Sequence, residues 1–459
     1  MIHRYQKKGL NFVLDVNSGA VHLLDDISYA VSGLLDENMG DTCPQSIIDA
    51  LPDYTADEIR EAYDELYELK KAGQLFAQDD YIDVSRYIPT DAPVKALCLH
   101  VAHDCNLRCQ YCFASTGDFG QGRKIMPPEI AKKAIDFVIA RSGVRHNIEV
   151  DFFGGEPLMA WDTVTQTVDY ARSLEEKYNK KFRFTITTNG LLLDEDKRKY
   201  INENMDNCVL SLDGRREVND EFRKTVAGTG SYDTIVPKFK ALVDERDPNL
   251  DYYARGTFTS HNLDFAEDVL SIADAGFDRL SVEPVTADPG CGYDLTEDDL
   301  PKIEAEYDRL TDIMLERKKE GKPFTFFHFM VDLDQGPCVV KRLRGCGAGY
   351  EYVAVTPDGD IYPCHQFVGK DEFKQGSVLD QSFNMDIAQK FAGMNIYSRP
   401  KCQKCWAKFY CSGGCSAANY NMNHDMNDSY DLGCEMERKR LECAIYLKAM
   451  DKICANQSK

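Results

Sequence analysis

The segment VKALCLHVAHDCNLRCQYC, residues 94–112, joins an apolar run directly to three cysteines. The apolar run predicts a buried β-strand. Cys105, Cys109 and Cys112 follow it, separated by three and then two residues. Three thiolates on one short loop can hold three irons of a 4Fe–4S cluster, and the fourth iron is then free to bind another molecule. We therefore expect a chemical rather than a structural site here, served by the rest of the chain.

Composition limits the class of protein. The 459 residues are 43% hydrophobic and 28% charged, as in globular proteins of two or three domains. The net charge of −22 opposes binding to nucleic acid. No signal peptide and no run of ~18 apolar residues is present, so we expect a cytoplasmic protein without membrane contact. There, 17 cysteines favour metal or redox use over disulfides, and thiolate-held clusters suggest an anaerobic organism.

Residues 1–85 form a predicted N-terminal unit. Residues 12–24 predict a β-hairpin turning at Gly19, and three helical segments follow, the third opened by a capping box from Thr55 to Glu58. A short strand at 74–77 completes the order of a winged-helix unit. Its many acidic residues argue against DNA, whereas the edge of a small sheet can accept a peptide as an extra strand. A plain N-terminal lid is the alternative.

After a polar linker, residues 93–325 alternate between strand and helix patterns. Strands are predicted at 94–101, 148–153, 182–187, 208–212, 253–258 and 279–285. Six such units predict an α/β fold, a partial (β/α)6 barrel of the TIM type with a parallel sheet inside and helices outside. Chemistry in such barrels lies at the carboxyl ends of the strands. The three cysteines follow the first strand and should lie at that end.

Short polar motifs end the next strands. Gly154, Gly155 and Glu156 follow strand two, where exposed carbonyls and a carboxylate could hold an ammonium group, although a tight turn is the alternative. Asn189 and Ser211 end strands three and four and could bind a ribose or a substrate, although each alone is more often a turn cap.

Two arginines are candidates for holding a carboxylate. Arg255 lies within a predicted strand. For Arg223 a role at the surface is equally open.

Beyond residue 325 periodicity weakens and cysteine becomes dense. Seven cysteines form a second series: Cys346, Cys364, Cys402, Cys405, Cys411, Cys415 and Cys434. Residues 326–459 have too little apolar content to fold on a core alone, so metal crosslinks would compensate. Zinc held by the Cys402–Cys405 pair and two further cysteines is the alternative to iron–sulfur clusters.

With both cysteine patterns, the chain resembles the radical S-adenosylmethionine (SAM) superfamily, in its SPASM-type peptide-modifying branch. An aromatic residue before the third cysteine, here Tyr111, belongs to that motif. The resemblance covers residues 93–440. Residues 1–85 resemble the element that grips leader peptides of ribosomally made, post-translationally modified peptides (RiPPs). The whole is most similar to maturases of SCIFF peptides (sactipeptide and ranthipeptide synthases), which join cysteine sulfur to carbon in thioether bridges.

This resemblance implies a cofactor and a chemistry. SAM would bind the open iron, and its reductive cleavage would give a 5′-deoxyadenosyl radical that takes hydrogen from a peptide carbon. The implied contacts are Gly154, Gly155 and Glu156 to the methionine amino group, Asn189, Ser211 and Arg223 to ribose or carboxylate, and Val285 beside adenine. The implied partners are a cysteine-rich precursor peptide and an electron donor such as flavodoxin or ferredoxin.

The resemblance also implies two auxiliary clusters, making three 4Fe–4S clusters in all. The distal one would use Cys402, Cys405, Cys411 and Cys434, and the nearer one Cys346, Cys364 and Cys415. Cys338 could supply its fourth ligand; otherwise a substrate thiolate could bind there.

His365 occupies a position where sulfatase-maturing relatives have a catalytic aspartate. It could accept a proton or tune the cluster through a hydrogen bond. An anaerobic sulfatase-maturing enzyme and a non-enzymatic iron–sulfur or zinc scaffold are the alternative functions.

Overall fold

The computed structural model describes residues 1–87, 92–333 and 339–457. Its N-terminal unit contains β1 (Ile2–Lys7), β2 (Leu10–Asp15), β3 (Val21–Leu24), α1 (Asp26–Ser32), α2 (Gln45–Ala50) and α3 (Ala56–Lys71), followed by α4 (Tyr81–Tyr87). The strands form an antiparallel sheet in the order β1-β2-β3.

The hairpin, the three helices and the capping box are confirmed, because Thr55 and Glu58 each bond the other's backbone. The strand predicted at 74–77 is wrong. The third strand is instead β1, which precedes the hairpin, so the winged-helix order does not hold. Residues 74–77 instead leave α3 through Gly73, whose φ of +69° reverses the chain.

The central part is an α/β partial barrel. Its elements are β4 (Ala96–His103), β5 (Lys124–Ile125), α5 (Pro128–Arg141), β6 (Asn147–Gly154), α6 (Trp161–Tyr178), β7 (Lys181–Thr188), α7 (Glu195–Asn204), β8 (Asn207–Ser211), α8 (Arg216–Phe222), α9 (Tyr232–Glu245), β9 (Asp251–Phe258), α10 (Phe265–Asp274), β10 (Arg279–Pro284), α11 (Leu300–Lys319) and β11 (Thr325–Phe326). The six predicted strands are confirmed as β4 and β6 to β10, which lie side by side in chain order and pair in parallel.

The C-terminal part contains shorter elements and one long helix. They are α12 (Val339–Arg344), β12 (Tyr352–Val355), β13 (Asp360–Tyr362), β14 (Gly376–Ser377), β15 (Ser382–Phe383), α13 (Met385–Gly393), α14 (Pro400–Gln403), α15 (Lys408–Cys411), α16 (Ser416–Asn423) and α17 (Asp431–Gln457). Strand β12 pairs in parallel with β4. The cysteine-rich part therefore extends the barrel sheet beyond its first strand.

The N-terminal unit is docked on the C-terminal part. Tyr5 and Phe12 share an apolar cluster with Ile445 and Tyr446 of α17. The ring of His3 stacks on Trp406 with 3.7 Å between centroids. None of the helices in the described ranges is both long and apolar enough to cross a membrane.

Candidate active site

A cavity of about 260 Å³ lies at the carboxyl ends of the barrel strands. We call it the reaction pocket. The structure brings together in its wall every residue predicted for the first cluster and its cofactor: Cys105, Tyr111, Cys109, Cys112, Gly154, Gly155, Glu156, Asn189, Ser211, Arg223 and Val285. These side chains come from five different strand ends, so only the barrel fold makes them neighbours.

Two glycines allow the end of β6 to lie directly against the cysteine loop. A Cβ on Gly154, whose φ is +124°, would lie 2.2 Å from the carbonyl oxygen of Ala102, and one on Gly155 would lie 2.1 Å from that of Asp104. The Gly155 N–H donates to Ala102 O at 2.7 Å. Any side chain would force the two loops apart, so these glycines are required for the close approach.

Gly117 is a third such position, and sequence reasoning missed it. A Cβ there would lie 2.6 Å from the Cβ of Cys105 and 3.2 Å from the Cα of Gly155. Its φ of +102° also favours glycine. The run of glycines after the cysteine motif was the available signal.

Glu156 links the ends of β6 and β7 through hydrogen bonds. Its carboxylate accepts hydrogen bonds from Thr188 Oγ1 at 2.7 Å and from the N–H groups of Asn189 and Leu158 at 2.8 and 3.0 Å. Burial raises its pKa, and the three donors oppose that shift. A carboxylate accepts up to about four hydrogen bonds, so one position remains for an ammonium group.

Asn189 contacts the cysteine loop directly. Its Nδ2 donates to Asn106 Oδ1 at 2.7 Å and lies 3.6 Å from Cys105 Sγ. An N–H aimed at a thiolate is the kind of contact that tunes an iron–sulfur cluster.

Tyr111, Asp213 and Arg223 form a buried triad. The Tyr111 hydroxyl donates to Asp213 Oδ2 at 2.5 Å and accepts from Arg223 Nη1 at 3.0 Å. Arg223 is only 8% exposed, so the surface role considered for it is wrong. Its Nε has no hydrogen-bond partner among the described residues. A buried, incompletely bonded guanidinium fits a carboxylate or ribose oxygen.

A charged network lies at the part of the pocket wall formed by β9 and β10, and it includes Arg255, which was predicted to lie within a strand. Arg255 pairs with Glu283, and both line the reaction pocket. Behind them, Arg440 of α17 donates from Nη1 to Nδ1 of His328 at 3.2 Å and pairs with Glu437. Burial, and then the charge of Arg440, lowers the pKa of His328 to about 3, so it is neutral at pH 7.

The seven later cysteines fall into two groups in the structure. Cys402, Cys405, Cys411 and Cys434 line one cavity of about 210 Å³, the distal cysteine pocket. The other three form a group whose thiols act on one another: burial, then the thiols of Cys415 and Cys346, raise the pKa of Cys364.

The donor atoms of the cysteine sets are thiols, which both zinc and 4Fe–4S clusters accept as ligands. Within the described ranges, no three His, Cys, Asp or Glu side chains surround one point closely enough to hold a metal ion. A single zinc needs thiolates at about 2.3 Å, whereas a 4Fe–4S cube spreads them around four irons. Sets made only of cysteine thiols have the ligand chemistry of 4Fe–4S clusters. Cys338 lies outside the described residues.

His365 lies at the junction of the pocket with the Cys364 loop. It lines the reaction pocket, and its Nδ1 lies 3.3 Å from the Tyr352 hydroxyl. Burial, followed by the charge of Arg255, lowers its pKa to about 4. An imidazole with so low a pKa is a weak base, which favours the hydrogen-bonding role over the role of proton acceptor.

Comparison with known protein families matches two segments. Residues 99–251 match the radical SAM superfamily, and residues 346–406 match SPASM, an iron–sulfur cluster-binding domain. A cysteine-type anaerobic sulfatase-maturating enzyme of Clostridium novyi is 25% identical over 354 residues, which are 72% of this chain and 90% of that protein.

Two solved structures share the fold. AnSMEcpe with bound AdoMet superposes with a TM-score of 0.65 at 21% identity, covering 80% of this chain and 100% of the other. Streptococcus suis SuiB bound to precursor peptide SuiA gives 0.52 at 16% identity, covering 93% of this chain and 97% of the other. At these identities the likeness concerns the fold alone.

Proposed function

This chain joins a radical SAM domain to a C-terminal SPASM domain, and on that premise we propose that it forms thioether crosslinks in a cysteine-rich, SCIFF-type precursor peptide. In this proposal residues 1–85 bind the leader, residues 93–325 hold SAM, and residues 326–459 hold two auxiliary clusters. Flavodoxin or ferredoxin would supply electrons.

One observation carries the proposal: the Cys364 loop forms part of the reaction pocket. His365 and Gln366 line the same cavity as Cys105, Cys109 and Cys112. A cluster held by Cys346, Cys364 and Cys415 would have three identified protein ligands and one iron left over. A substrate thiol bound there would lose its proton to metal binding and lie beside the pocket where carbon is activated.

The chain's own residues would position and shield the reactants. SAM, when bound, supplies the radical that removes a hydrogen atom from a peptide carbon. Glu156 and the carbonyls of Gly154 and Gly155 would hold its amino group, and Arg223 and Asn189 its carboxylate or ribose. Val285, which is buried at 6% exposure, would cover the adenine. For each bridge the peptide would lose one hydrogen atom from carbon to the SAM-derived radical, one proton from sulfur to solvent, and one electron to the auxiliary cluster that Cys346, Cys364 and Cys415 would hold.

Mass spectrometry of the precursor peptide co-expressed with the enzyme tests this function. We expect a loss of about two hydrogens per bridge, as that balance requires, and tandem spectra that place sulfur on carbon. The Cys105→Ala/Cys109→Ala/Cys112→Ala enzyme should leave the peptide unchanged. An unmodified peptide with the intact, cluster-loaded enzyme would count against the proposal.

Sulfatase maturation is the second candidate, favoured by the match to the Clostridium novyi enzyme. Two features oppose it. His365 stands where the resemblance to such relatives implies an aspartate, and residues 1–85 form an additional unit that would bind a leader peptide. Incubation with a serine- or cysteine-bearing sulfatase peptide separates the two, since only the second candidate produces formylglycine.

A further inference from the structure

A second cavity, of about 510 Å³, adjoins the reaction pocket. We call it the side cavity. The two share six wall residues: Tyr111, Cys112, Phe113, Thr286, His365 and Gln366. A molecule whose reacting carbon lies in the reaction pocket can therefore extend into the side cavity without leaving the protein.

The side cavity suits a stretch of peptide. Its wall includes the rings of Phe113, Phe119, Tyr293 and Tyr420, the amides of Gln366 and Asn421, and the carboxylate of Asp288. Aromatic faces pack against peptide side chains, and amide groups bond a peptide backbone. The Tyr293 hydroxyl donates to Gln110 O at 3.0 Å, so the loop before α11 is tied to the cysteine loop and the wall is preformed.

Lys370 is the cation of this cavity. Its Nζ donates to Asn421 Oδ1 at 2.6 Å and lies 4.7 Å from the centroid of the Tyr420 ring. Two carboxylates, Glu372 and Asp288, act on it through space rather than by a hydrogen bond, and burial outweighs them and lowers its pKa. The Glu372 carboxylate already accepts a hydrogen bond from the Tyr420 hydroxyl at 2.9 Å.

Such an ammonium group can take a further hydrogen-bond partner. It has three donors and its side chain is partly withdrawn from water. A carboxylate brought against it would gain a charge-assisted hydrogen bond in a site where water screens less than at the open surface. The protein carries a net charge of −22, so an acidic ligand needs a cation to pair with, and Lys370 is the one lysine or arginine in the described wall of the side cavity, which also holds the carboxylate of Asp288.

We propose that the side cavity seats the segment of the precursor peptide next to the reacting residue, and that Lys370 selects that segment by binding one of its carboxylates. This inference rests on the proposed action on a peptide. It makes Lys370 a specificity-determining residue for the register in which the peptide lies, because a carboxylate fixed there sets which neighbouring carbon reaches the reaction pocket.

Binding measurements with the cluster-loaded enzyme test it. The probe is the co-encoded cysteine-rich precursor, labelled with a fluorophore and titrated anaerobically, together with variants in which each Asp or Glu is changed singly to Asn or Gln. Lys370→Gln should weaken binding of the unaltered peptide by about tenfold, the effect of losing one hydrogen bond to a charged group. One of these peptide variants should bind the wild-type enzyme about tenfold more weakly than the unaltered peptide does. The same peptide variant should bind Lys370→Gln with the affinity that the unaltered peptide has for that enzyme.

Lys374 supplies the matched control. It lies in the same loop, pairs with Asp360 at 2.8 Å and is outside the side cavity, so Lys374→Gln should bind every peptide as wild type does. Lys370→Arg, which keeps the charge, should retain most of the affinity and shows whether loss of fold explains the Gln variant. Unchanged affinity in Lys370→Gln, or equal losses for every carboxylate in both enzymes, would overturn the assignment.

The outcome is independent of the proposed reaction. Coupled binding losses without any crosslinked product would retain the subsite and remove thioether formation. If Lys370→Gln binds the peptide with unchanged affinity and forms crosslinks at the same position, thioether formation is retained and the subsite is removed.

Discussion

Gly155 shows how a residue without a side chain fixes the reaction pocket. Its Cα lies where any Cβ would come 2.1 Å from Asp104 O, and this contact joins the end of β6 to the loop that carries the three cysteines. A backbone carbonyl cannot rotate away as a long side chain can. The requirement is therefore geometric and independent of which cofactor is bound.

Gly155→Ala should separate the two loops and disable the first cluster site. We expect SAM binding to weaken by at least tenfold, because the loop that would hold the amino group moves with residue 155. Equilibrium dialysis with labelled SAM measures this. Gly228→Ala is the control, since a Cβ there meets nothing within 4 Å and only its φ of +79° is strained. Equal affinity in all three proteins would contradict the close-approach argument.

Asp151, inside the barrel, should make stability depend on pH. Burial, followed by the charge of Glu149, raises its pKa from 3.8 to about 7. Between these values the unfolded chain has lost its proton while the folded protein keeps it, so stability falls as pH rises from about 4 to about 7. At about 1.4 kcal/mol per unit of pKa, the cost is at most about 4 kcal/mol above that range.

Asp151→Asn is neutral throughout and removes this cost. The variant should melt higher than wild type at pH 8, and the difference should shrink at pH 5, where the wild-type carboxyl is protonated in the fold. Anaerobic thermal unfolding at the two pH values measures both differences. A difference that does not change with pH would show that Asp151 titrates normally.

At the scale of elements, strands were the most predictable part. Strand β4 is buried along its whole length and is an apolar run, whereas β6 to β9 alternate buried and more exposed residues. Both patterns are typical of strands, so these elements could be located from sequence. Helices α5, α6 and α11 likewise match their predicted positions because each buries one stripe. The cysteine positions and glycine motifs predicted the pocket, since strand ends of a barrel converge at one edge.

Helix α17 was missed for a physical reason. Its buried residues, Leu432, Met436, Leu441, Cys443, Ala444, Ile445 and Tyr446, are spread around the helix instead of following one stripe. The helix touches α11, the N-terminal unit and the distal cysteine pocket, so several faces are covered. The burial of Arg223 beside Tyr111 and the contact of Arg440 with His328 also depend on residues far apart in the chain, so they could not be predicted from sequence. No local pattern reports contacts between residues a hundred positions apart.

Arg440 should matter for stability through this helix. Its guanidinium lies between His328 and Glu437, and its side chain is 13% exposed. Arg440→Met would leave Glu437 partly buried without its cation, at a cost of about 3 kcal/mol. Lys439→Met is the neighbouring control; it pairs with Asp308 at 2.7 Å, which also binds Lys7. Anaerobic melting curves should show the larger drop for Arg440→Met, and equal drops would contradict the buried network.

At the scale of the whole molecule, the N-terminal unit is fixed to the catalytic body. Lys7 pairs with Asp308 of α11 and donates to Cys443 Sγ of α17 at 3.2 Å, and Lys408 pairs with Asp79 at 2.7 Å. The order β1-β2-β3 makes β3 one of the two edges of the small sheet, where a leader peptide could pair as a fourth strand. A leader peptide added there would be held at a constant distance from the reaction pocket, which limits which downstream cysteines arrive.

Leu23, on β3, tests whether the leader binds at this edge. It is 42% exposed, and a strand added beside β3 would cover it, so Leu23→Asp places a charge in the proposed interface. We expect precursor affinity to fall about tenfold while SAM cleavage without peptide is unchanged. Leu34→Asp is the matched control, because Leu34 is 46% exposed in the same unit but outside the sheet. Anaerobic fluorescence anisotropy with the labelled precursor compares them. Equal affinities for wild type and Leu23→Asp would place the leader elsewhere, and an equal loss in both variants would reduce the effect to general charge repulsion.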